Sequence, residues 1–596
     1  MPLITRWGKA LTPENVLQEY PRPQLVRESY CNLNGLWDYA FTEGSAPPER
    51  YEGKILVPFS PEAPLSGVSR TLGPEQTLWY RRELPLAPRP GMRLLLHVGA
   101  ADQQARVYLN GRLLCMHDGG YTAFTAELTD ALAQEGNILQ LAVRDGTDTN
   151  ERTRGKQKTK RGGIWYTPQS GVWQTVWAEW VPQDYITDLR ITPDAKNGCV
   201  RIRVCAEKTL PCYLSLQGRR IGTYTNRDAV LSVAEPELWS PENPKLYDFA
   251  AELGDDRVKS YFALRDVGVG KDAAGRPCLT LNGKPCFHSG VLDQGYWPDG
   301  LYTAPSDEAL VYDLTLLKEL GFNMVRKHIK VEPMRWYYHC DRLGLLVWQD
   351  MPNGGGKYDP MTISAPLFTR RHLDDHNYRR FARTDGEGRR LFYRELEEMI
   401  AQLYSCPCVA LWTPFNEGWG QFDAREAVRR IEALDATRPI DHASGWHDQK
   451  IGRIQSLHVY FYPYRFRPDR LGRAVVLSEF GGYNLPVEGH VWARKNFGYR
   501  AFKTPEALCR AFTRLYETQI LPAREKGLAA CVYTQLSDVE DEVNGFVTYD
   551  RAVQKLPAEA VRAINRRLLA QEAHAGRSGL LQEPRTQRGE KTFSTR

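Results

Sequence analysis

The chain has 596 residues, of which 42% are hydrophobic, 25% charged and 11% aromatic, and its formal net charge is +6. This length is too great for a single hydrophobic core and predicts roughly two to four domains. The composition is that of a soluble globular protein, which excludes a largely disordered chain. Because Lys and Arg are interspersed with Asp and Glu, the charge balance gives no support for a nucleic-acid partner.

The opening segment and the cysteines indicate where in the cell the protein is expected to be. Residues 1–24 lack the apolar core of a signal peptide, and no later stretch approaches the roughly 18 apolar residues of a membrane span. The 12 cysteines are scattered along the chain. The one close pair, Cys406 and Cys408, is not accompanied by a second pair of ligands, so the sequence predicts neither a disulfide framework nor a zinc site. We therefore expect a cytoplasmic protein with no membrane partner.

Period-two alternation predicts a β-sandwich in the first part of the chain. It is clearest at 93–99, 105–119 and 137–145, and Asn110 with Gly111 is a tight hairpin signal. We assign residues 1–182 to this domain. The basic run "ERTRGKQKTKRGG" at 151–163 reads as a solvated surface loop, with two alternatives: a loop that reaches the next domain, or a weak nucleic-acid contact.

A second β-rich unit follows, and after it the sequence changes to strands that alternate with helices. The strands of residues 183–268 are spaced like those of a small immunoglobulin-like sandwich. From about Gly268, apolar strands alternate with helical patterns at 307–320, 391–404, 424–435 and 505–520. Eight such units predict a TIM (β/α)8 barrel over residues 269–570, and the polar residues 571–596 are predicted to be a disordered tail. The strands are predicted to end near Val291, Arg326, Gln349, Thr413, Ala443, Tyr460, Ser478 and Tyr533.

Two glutamates stand where predicted barrel strands stop. Glu417 follows "VALWTPFN" on the fourth strand, and Glu479 follows "AVVLS" on the seventh. Barrel enzymes carry their chemistry at this end of the strands. Two carboxyl groups about 5 to 5.5 Å apart are the machinery of a retaining glycosidase, with one as acid and the other as nucleophile. The alternative is that each Glu is merely paired with a nearby Arg or Lys.

The residues around both acids resemble a known family. "TPFNEGWGQFD" (413–423) is similar to the acid/base segment of glycoside hydrolase family 2, and "VVLSEFGGY" (475–483) is similar to its nucleophile segment. This family includes β-galactosidases, β-glucuronidases and β-mannosidases. Similar segments occur along nearly the whole chain: "YPRPQLVRESYCNLNGLWDYAF" and "GGIWYTPQSGVWQTVW" in the first domain, "LWSPENPKLY" in the second, and "LNGKPCFHSGV" at the start of the barrel.

The resemblance implies a fold and a set of roles. The fold is a sugar-binding jelly-roll sandwich, an immunoglobulin-like sandwich and a C-terminal TIM barrel. The activity is that of a retaining exo-β-glycosidase, with Glu417 as acid/base and Glu479 as nucleophile. Asn416 would contact the sugar 2-hydroxyl. Arg326 and Tyr460 are candidates to support Glu479, against the alternatives of a structural ion pair and of simple packing.

The sugar is harder to predict than the reaction. Further candidates to line the pocket are Asp293, Gln294, His328, Trp446, His458, Tyr533 and Gln535. The family's β-glucuronidases hold the substrate carboxylate with an Asn-x-Lys element, whereas here Asn544 is followed by Gly and Phe. The same segment carries Asp538, Glu540, Asp541 and Glu542, which would repel a uronic acid.

Two other positions depart from the family pattern. A Trp usually ends the last strand, where Tyr533 stands here, and a His usually follows Arg326 by three residues, whereas here it follows by two, as His328. We expect a neutral β-linked substrate, galactosidic or galactose-like and including furanosides. A β-glucuronidase or another β-glycosidase of the family is the alternative, and an inactive carbohydrate-binding protein is the alternative of another class.

No cofactor is predicted to be required. Some family members hold a magnesium or sodium ion near the site, so a non-essential ion stays open here, but no carboxylate cluster has recognisable ligand spacing. The sequence also leaves a homo-oligomer open.

Overall fold

A computed structural model describes residues 3–369, 371–493 and 495–570. The predicted tail at 571–596 lies outside the described residues. None of the helices in these ranges is long and apolar enough to cross a bilayer.

The first part of the chain is an antiparallel sandwich preceded by a short helix, α1 (Arg6–Ala10). A four-stranded sheet in the order β1-β12-β5-β9 packs on a six-stranded sheet in the order β3-β2-β4-β10-β7-β8, around a core that includes Trp37, Leu96 and Leu141. Asn110 and Gly111 both have positive φ and join two strands in a tight hairpin, as predicted. The strands are β1 (Tyr30–Asn32), β2 (Gly35–Glu43), β3 (Gly53–Val57), β4 (Gln76–Leu84), β5 (Met92–Val98), β6 (Ala101–Asp102), β7 (Gln104–Leu109), β8 (Arg112–Asp118), β9 (Phe124–Glu127), β10 (Asn137–Arg144), β11 (Gly171–Val172) and β12 (Val176–Pro182).

The second unit is a smaller antiparallel sandwich. A three-stranded sheet (β13-β14-β17) faces a four-stranded one (β16-β15-β18-β19), and alternate residues such as Ile191, Val200 and Ile202 fill the space between them. Its strands are β13 (Asp188–Asp194), β14 (Cys199–Cys205), β15 (Pro211–Leu216), β16 (Arg219–Tyr224), β17 (Asp228–Ser232), β18 (Tyr247–Leu253) and β19 (Asp256–Phe262). A small sheet leads into the barrel: β20 (Val267–Lys271), β21 (Pro277–Leu281) and β22 (Lys284–Pro285).

The third unit is a parallel barrel with helices outside. Its strands are hydrogen-bonded in the order β26-β25-β24-β23-β31-β28-β27 and are buried because helices cover them. They are β23 (His288–Asp293), β24 (Met324–Lys327), β25 (Leu346–Asp350), β26 (Val409–Thr413), β27 (Ile454–Val459), β28 (Ala474–Gly481) and β31 (Ala530–Thr534), with β29 (Tyr483–Asn484) and β30 (Arg500–Ala501) pairing outside this sheet.

The predicted helices are present with small shifts of their ends. Side chains of Ser306, Asp385 and Thr504 cap the main ones at their N-termini. The helices are α2 (Asp307–Glu319), α3 (Met334–Leu343), α4 (Pro360–Ile363), α5 (Pro366–Thr369), α6 (Gly386–Leu403), α7 (Ala424–Leu434), α8 (Pro505–Leu515), α9 (Leu521–Lys526) and α10 (Ala558–Ala570).

The fifth predicted strand, ending near Ala443, does not form a regular strand in the described part of the chain. Segment 439–444 lies where this strand was predicted. It pairs with its neighbour only through two isolated parallel bridges, Ile440 with Trp412 of β26 and Ser444 with Asn416. Pro439 begins this segment and has no backbone N–H to donate to a ladder. The prediction of eight regular strands is therefore wrong at this one position.

The basic run at 151–163 docks on the barrel. The backbone N–H of Arg154 donates to the carbonyl of Asn353 at 2.8 Å, and the Thr153 hydroxyl donates to the Glu395 carboxylate on α6 at 2.7 Å. Residues 153–157 are buried, and only 159–161 are exposed. The prediction of a solvated surface loop is wrong for its first half, and the alternative, a loop that reaches the barrel, is the observed one.

Candidate active site

Glu417 and Glu479 face each other at the mouth of the barrel. A carboxylate oxygen of each and a ring nitrogen of His458 all lie within 4.8 Å of one another. Both side chains are held in the interior of the site, with only 7% and 5% of each residue exposed. The pairing register of β28 shifts between Leu477 and Phe480, and irregularities of this kind re-aim side chains at a barrel rim.

Glu479 is held as a carboxylate by its neighbours. Arg326 Nη1 donates to Oε1 at 3.0 Å, and the Tyr460 hydroxyl donates to Oε2 at 2.5 Å. Burial by itself would raise the pKa of Glu479, but the positive charges of His458 and Arg326 outweigh burial and lower this pKa to about 2. The neighbours of Glu479 therefore favour its ionised form.

Glu417 has the opposite environment. Burial raises the pKa of its carboxyl group above the usual range, and the negative charge of Glu479 adds to this effect. A hydrogen bond of 2.8 Å between Glu417 Oε1 and His458 Nδ1 lowers this pKa and partly opposes the two effects that raise it. The residue adopts a positive φ of 51°, and its backbone N–H donates to Ser444 at 3.0 Å. Two glutamates with pKa values pushed apart can divide the roles of acid and nucleophile.

Arg326 organises the floor between the two acids. The side chain is fully buried, and its Nε donates to Asp350 Oδ1 at 3.0 Å while Nη2 donates to Asn416 Oδ1 at 2.9 Å. This fixes the orientation of the Asn416 amide. Its Nδ2 atom is buried and has no hydrogen-bond partner in the described part of the chain, so a donor is left for a ligand.

His328 and His458 are both drawn into this network. His328 Nδ1 lies 2.8 Å from Asp350 Oδ2, which places the ring behind Arg326. The other ring nitrogen of His458 lies 3.1 Å from Ser444 Oγ and 3.6 Å from Glu479 Oε1. Trp446 stands beside this ring, with centroids 6.2 Å apart.

Asp293, Gln294 and Gln535 form a polar floor under strands β23 and β31. Gln294 Nε2 donates to Gln535 Oε1 at 2.9 Å, and Gln535 Nε2 donates to Asn544 at 2.7 Å. Both oxygens of Asp293 are already engaged, one with Lys327 Nζ at 2.5 Å and one with the N–H of Gly295. Asp293 is thus part of a buried ion network and caps its loop.

The structure does not bring Tyr533 into this group. Its ring packs against Phe480, Phe512 and Phe546 in the layer between the barrel and its helices. Its neighbour Thr534 points the other way and places Oγ1 2.9 Å from the Tyr460 hydroxyl. Successive residues of a strand point to opposite faces, so the assignment of a pocket role to Tyr533 was wrong by one residue.

The acidic segment near the last strand does not present free charge to the pocket. Asp538 Oδ1 accepts from Lys555 Nζ at 2.6 Å. Glu540 accepts from the N–H of Thr167 at 2.9 Å, and Asp541 accepts from Arg161 at 3.0 Å. The Tyr166 hydroxyl donates to Glu542. Glu540, Asp541 and Glu542 thus anchor the first domain on the barrel, whereas Asp538 pairs within the barrel. The electrostatic argument against a uronic acid therefore loses its support.

Two residues of the site were missed from the sequence. Tyr499 stacks on Tyr460 with ring centroids 3.7 Å apart and planes at 6°. Lys156 enters from the docked loop, and its ammonium lies 5.6 Å from the Trp419 ring and 5.5 Å from the Tyr166 ring. Lys156 lies in the basic run at 151–163, which was predicted to be a surface loop, and Tyr499 lies in none of the periodic segments that marked strands and helices.

Potential metal ligands coincide with the acids themselves. In the described ranges, Glu417, Glu479 and His458 form one group with ligand atoms close enough for an ion, and a partly exposed group of Asp374, Asp375 and His376 forms another. Arg326 and Tyr460 already donate to the Glu479 carboxylate.

Two family models match parts of the chain. Residues 276–475 match Glycosyl hydrolases family 2, TIM barrel domain, and residues 185–265 match Glycosyl hydrolases family 2. The barrel match includes Glu417 and stops four residues before Glu479 (479 − 475 = 4).

Individual relatives are distant. The chain is 26% identical over 286 residues to a β-galactosidase of Lactococcus lactis, a match that covers 46% of this chain and 27% of that protein. It is 23% identical over 445 residues to a β-galactosidase of Thermoanaerobacter pseudethanolicus, covering 69% of this chain and 55% of that protein. The chain therefore spans about a quarter to about half of the length of these two relatives.

The solved β-D-glucuronidase of Dictyoglomus thermophilum superposes with a TM-score of 0.70 at 18% identity, covering 92% of this chain and 98% of that chain. At this identity the likeness shows the fold alone. The two family matches, both to glycoside hydrolase family 2, and the distant β-galactosidase relatives support placing the chain in that family.

Proposed function

We propose that this protein is a retaining exo-β-glycosidase that acts by double displacement. The observation that carries the proposal is the approach of Glu417 and Glu479, whose carboxylate oxygens lie within 4.8 Å. Retaining enzymes hold their carboxyl groups about 5 to 5.5 Å apart, whereas inverting enzymes leave about 6.5 to 9.5 Å for a water molecule.

In the first step, Glu479 attacks the anomeric carbon as the bond to the leaving oxygen breaks, and Glu417 gives its proton to that oxygen. In the second step, Glu417 takes a proton from water, and the water oxygen displaces Glu479 from the anomeric carbon. The environments support this division of roles, because burial raises the pKa of Glu417 while His458 and Arg326 lower that of Glu479. Asn416 Nδ2 is available to donate to the sugar 2-hydroxyl.

The substrate class is proposed from the relatives. Their names indicate β-galactosides and β-glucuronides. The expectation of a neutral galactose-like sugar stays a prediction, and it no longer has the support of the acidic segment at 538–542. We place the enzyme in the cytoplasm on the argument that buried thiols such as Cys406 and Cys408 suit a reducing compartment.

Replacement of the nucleophile tests the proposal. Purified Glu479→Ala should lose turnover of a nitrophenyl β-glycoside that the wild-type enzyme cleaves, and added azide should restore release of nitrophenol with formation of the α-glycosyl azide. A matched Glu417→Gln variant should lose far more activity on substrates with poor leaving groups than on nitrophenyl glycosides, since only the former need protonation. Turnover unchanged in Glu479→Ala would refute the assignment, and a wild-type protein that binds sugars without cleaving any of them would support a carbohydrate-binding role instead.

A further inference from the structure

Lys156 is delivered to the barrel mouth by a fixed piece of backbone. On one side, Thr153 and Arg154 are tied to the barrel as described above. On the other, the N–H of Tyr166 donates to the Lys156 carbonyl at 3.0 Å, and Gln157 Nε2 donates to the Tyr121 hydroxyl at 3.1 Å. The residue is 95% buried (5% exposed), so its position is set by the packing of two domains.

The ammonium of Lys156 has no hydrogen-bond acceptor and no ion-pair partner among the described residues. It lies between the faces of Tyr166 and Trp419, at 5.5 Å and 5.6 Å. Trp419 follows Glu417 by two residues, and its ring lies 6.4 Å from the ring of His328. A buried charge without a partner is costly, and aromatic faces compensate only part of that cost.

Two further buried cations, Arg154 and Arg383, contact the docked loop or the segments beside it. Arg154 donates to the backbone carbonyls of Gly355 and Gly356. Arg383 donates to the carbonyls of Gly420 and Glu151. Both guanidiniums therefore have hydrogen-bond acceptors, unlike the Lys156 ammonium, and Glu151 and Glu395 act on the charge of Arg383 as well.

The acids at 540–542 are candidates to pair with the Lys156 ammonium, but they bind other partners. Glu540 and Asp541 bind Arg161 and backbone N–H groups, and Glu542 binds Tyr166. The positive charge of Lys156 also acts on the two glutamates: it contributes to the low pKa of Glu479 and partly opposes the rise that burial causes in the pKa of Glu417. An anionic group on a bound ligand would give the Lys156 ammonium the counter-charge that it lacks.

We propose that Lys156 is the receptor for a carboxylate on the substrate, so that the sugar cleaved at this site is a β-linked hexuronic acid. The inference rests on the proposed glycosidase function and names its substrate class. It assigns recognition of the substrate carboxylate to a loop of the first domain. The segment after the last barrel strand has no Asn-x-Lys element that could take this role. Lys156 acts on specificity in this account, and the chemistry stays with the two glutamates.

The test compares pairs of nitrophenyl substrates that differ only at C6. Wild-type enzyme is assayed on the β-glucuronide against the β-glucoside, and on the β-galacturonide against the β-galactoside. In at least one pair kcat/KM should be higher for the acid. Lys156→Met should lower kcat/KM for that acid by about 10- to 100-fold, the effect of losing a hydrogen bond to a charged group, and should change the neutral partner much less.

Controls separate this role from others. Lys160→Met removes the same charge from an exposed position of the same loop and should leave the acid-to-neutral ratio unchanged. Lys156→Arg should keep most of the preference for the acid. If Lys156 acts only through the catalytic carboxylates, Lys156→Met will reduce both members of a pair equally and shift the pH profile, which would overturn the proposal.

A binding measurement on the wild-type protein needs no variant. Free glucuronate or galacturonate should compete with substrate better than glucose or galactose does, and added salt should weaken the competition. A wild-type enzyme that cleaves only neutral glycosides, with neutral sugars as the better competitors, would overturn this inference and leave the glycosidase proposal intact. A protein that cleaves none of the substrates would contradict the proposed function itself.

Discussion

Arg326 Nη1 donates a hydrogen bond of 3.0 Å to Glu479 Oε1, and the same guanidinium reaches Asn416 through Nη2 at 2.9 Å. One fully buried side chain thus supports the proposed nucleophile and orients the proposed contact to the sugar 2-hydroxyl. Asp350 balances its charge from behind, at 2.9 Å. The planar fork of arginine serves several acceptors at fixed angles, which a lysine ammonium does not.

Replacing Arg326 by Lys should therefore keep a positive charge and lose the fork. We expect kcat to fall by about 10- to 100-fold, the usual effect of losing a charge-assisted hydrogen bond. The pKa that governs the acid limb of the pH profile should rise, because Glu479 would be less well supported as an anion. Steady-state kinetics across pH measure both effects. A variant with unchanged kcat would show that Arg326 has only a structural role.

Asn416→Ser tests the unpartnered amide. The Nδ2 atom is buried without a partner, so we expect it to donate to the substrate 2-hydroxyl in the transition state. The variant should lose roughly 10-fold or more in kcat/KM on an ordinary nitrophenyl glycoside, by the cost of one hydrogen bond to a developing charge. On the 2-deoxy glycoside, wild type and variant should differ little. Equal losses on both substrates would place the role of Asn416 elsewhere.

His458→Gln tests the electrostatic division between the two acids. The positive charge of His458 helps to hold the pKa of Glu479 at about 2. Without it this pKa rises, so the carboxylate becomes protonated, and activity is lost, at a higher pH than in the wild type. On the alkaline side, activity falls as pH rises through the raised pKa of Glu417, because the ionised form has no proton to donate. An acid limb at the same pH in both proteins would contradict the role given to His458.

Asp538→Asn should affect stability rather than specificity. Asp538 and Lys555 form a buried pair with N···O 2.6 Å. Removal of one partner leaves an uncompensated buried charge, which typically costs about 3–5 kcal/mol of unfolding free energy, measurable by denaturant titration. The acid-to-neutral substrate ratio should not change. A changed ratio would restore the sequence-based argument that this segment repels uronic acids.

The double variant Asp538→Asn with Lys555→Met is the matched control. It removes the charge that the single variant leaves unpaired, so a substantial part of the lost stability should return. A double variant no more stable than Asp538→Asn would mean that the loss comes from packing and from the hydrogen bond between Asp538 and the N–H of Gly545.

The meeting of Glu417 and Glu479 at the barrel mouth was predictable because its signal is local. Glu417 and Glu479 each follow an apolar run that stops abruptly, and a barrel brings the ends of its strands to one mouth. The same reasoning placed Arg326 on β24 and Tyr460 just after β27. It failed at Tyr533, because strand-end reasoning does not say which of two successive residues faces inward, and Thr534 is the one that does.

The rest of the site depends on contacts between distant segments. Lys156 comes from a loop of the first domain, and its basic surroundings resemble those of a solvated surface loop. The acids at 538–542 read as free charge in the sequence, whereas partners such as Arg161 and Tyr166 lie more than 370 residues away. Such pairings carry no periodic pattern, and neither does the irregular segment that starts at Pro439 in place of a fifth strand.

The anomeric configuration of the first-formed product tests the central claim most directly. Wild-type enzyme is mixed with a nitrophenyl β-glycoside that it cleaves, and proton NMR spectra are recorded before mutarotation mixes the anomers. The account predicts that the β-anomer of the free sugar appears first, because two successive displacements by Glu479 and water restore the starting configuration. An α-anomer as the first product would mean a single displacement and would contradict the assignment of Glu479 as nucleophile.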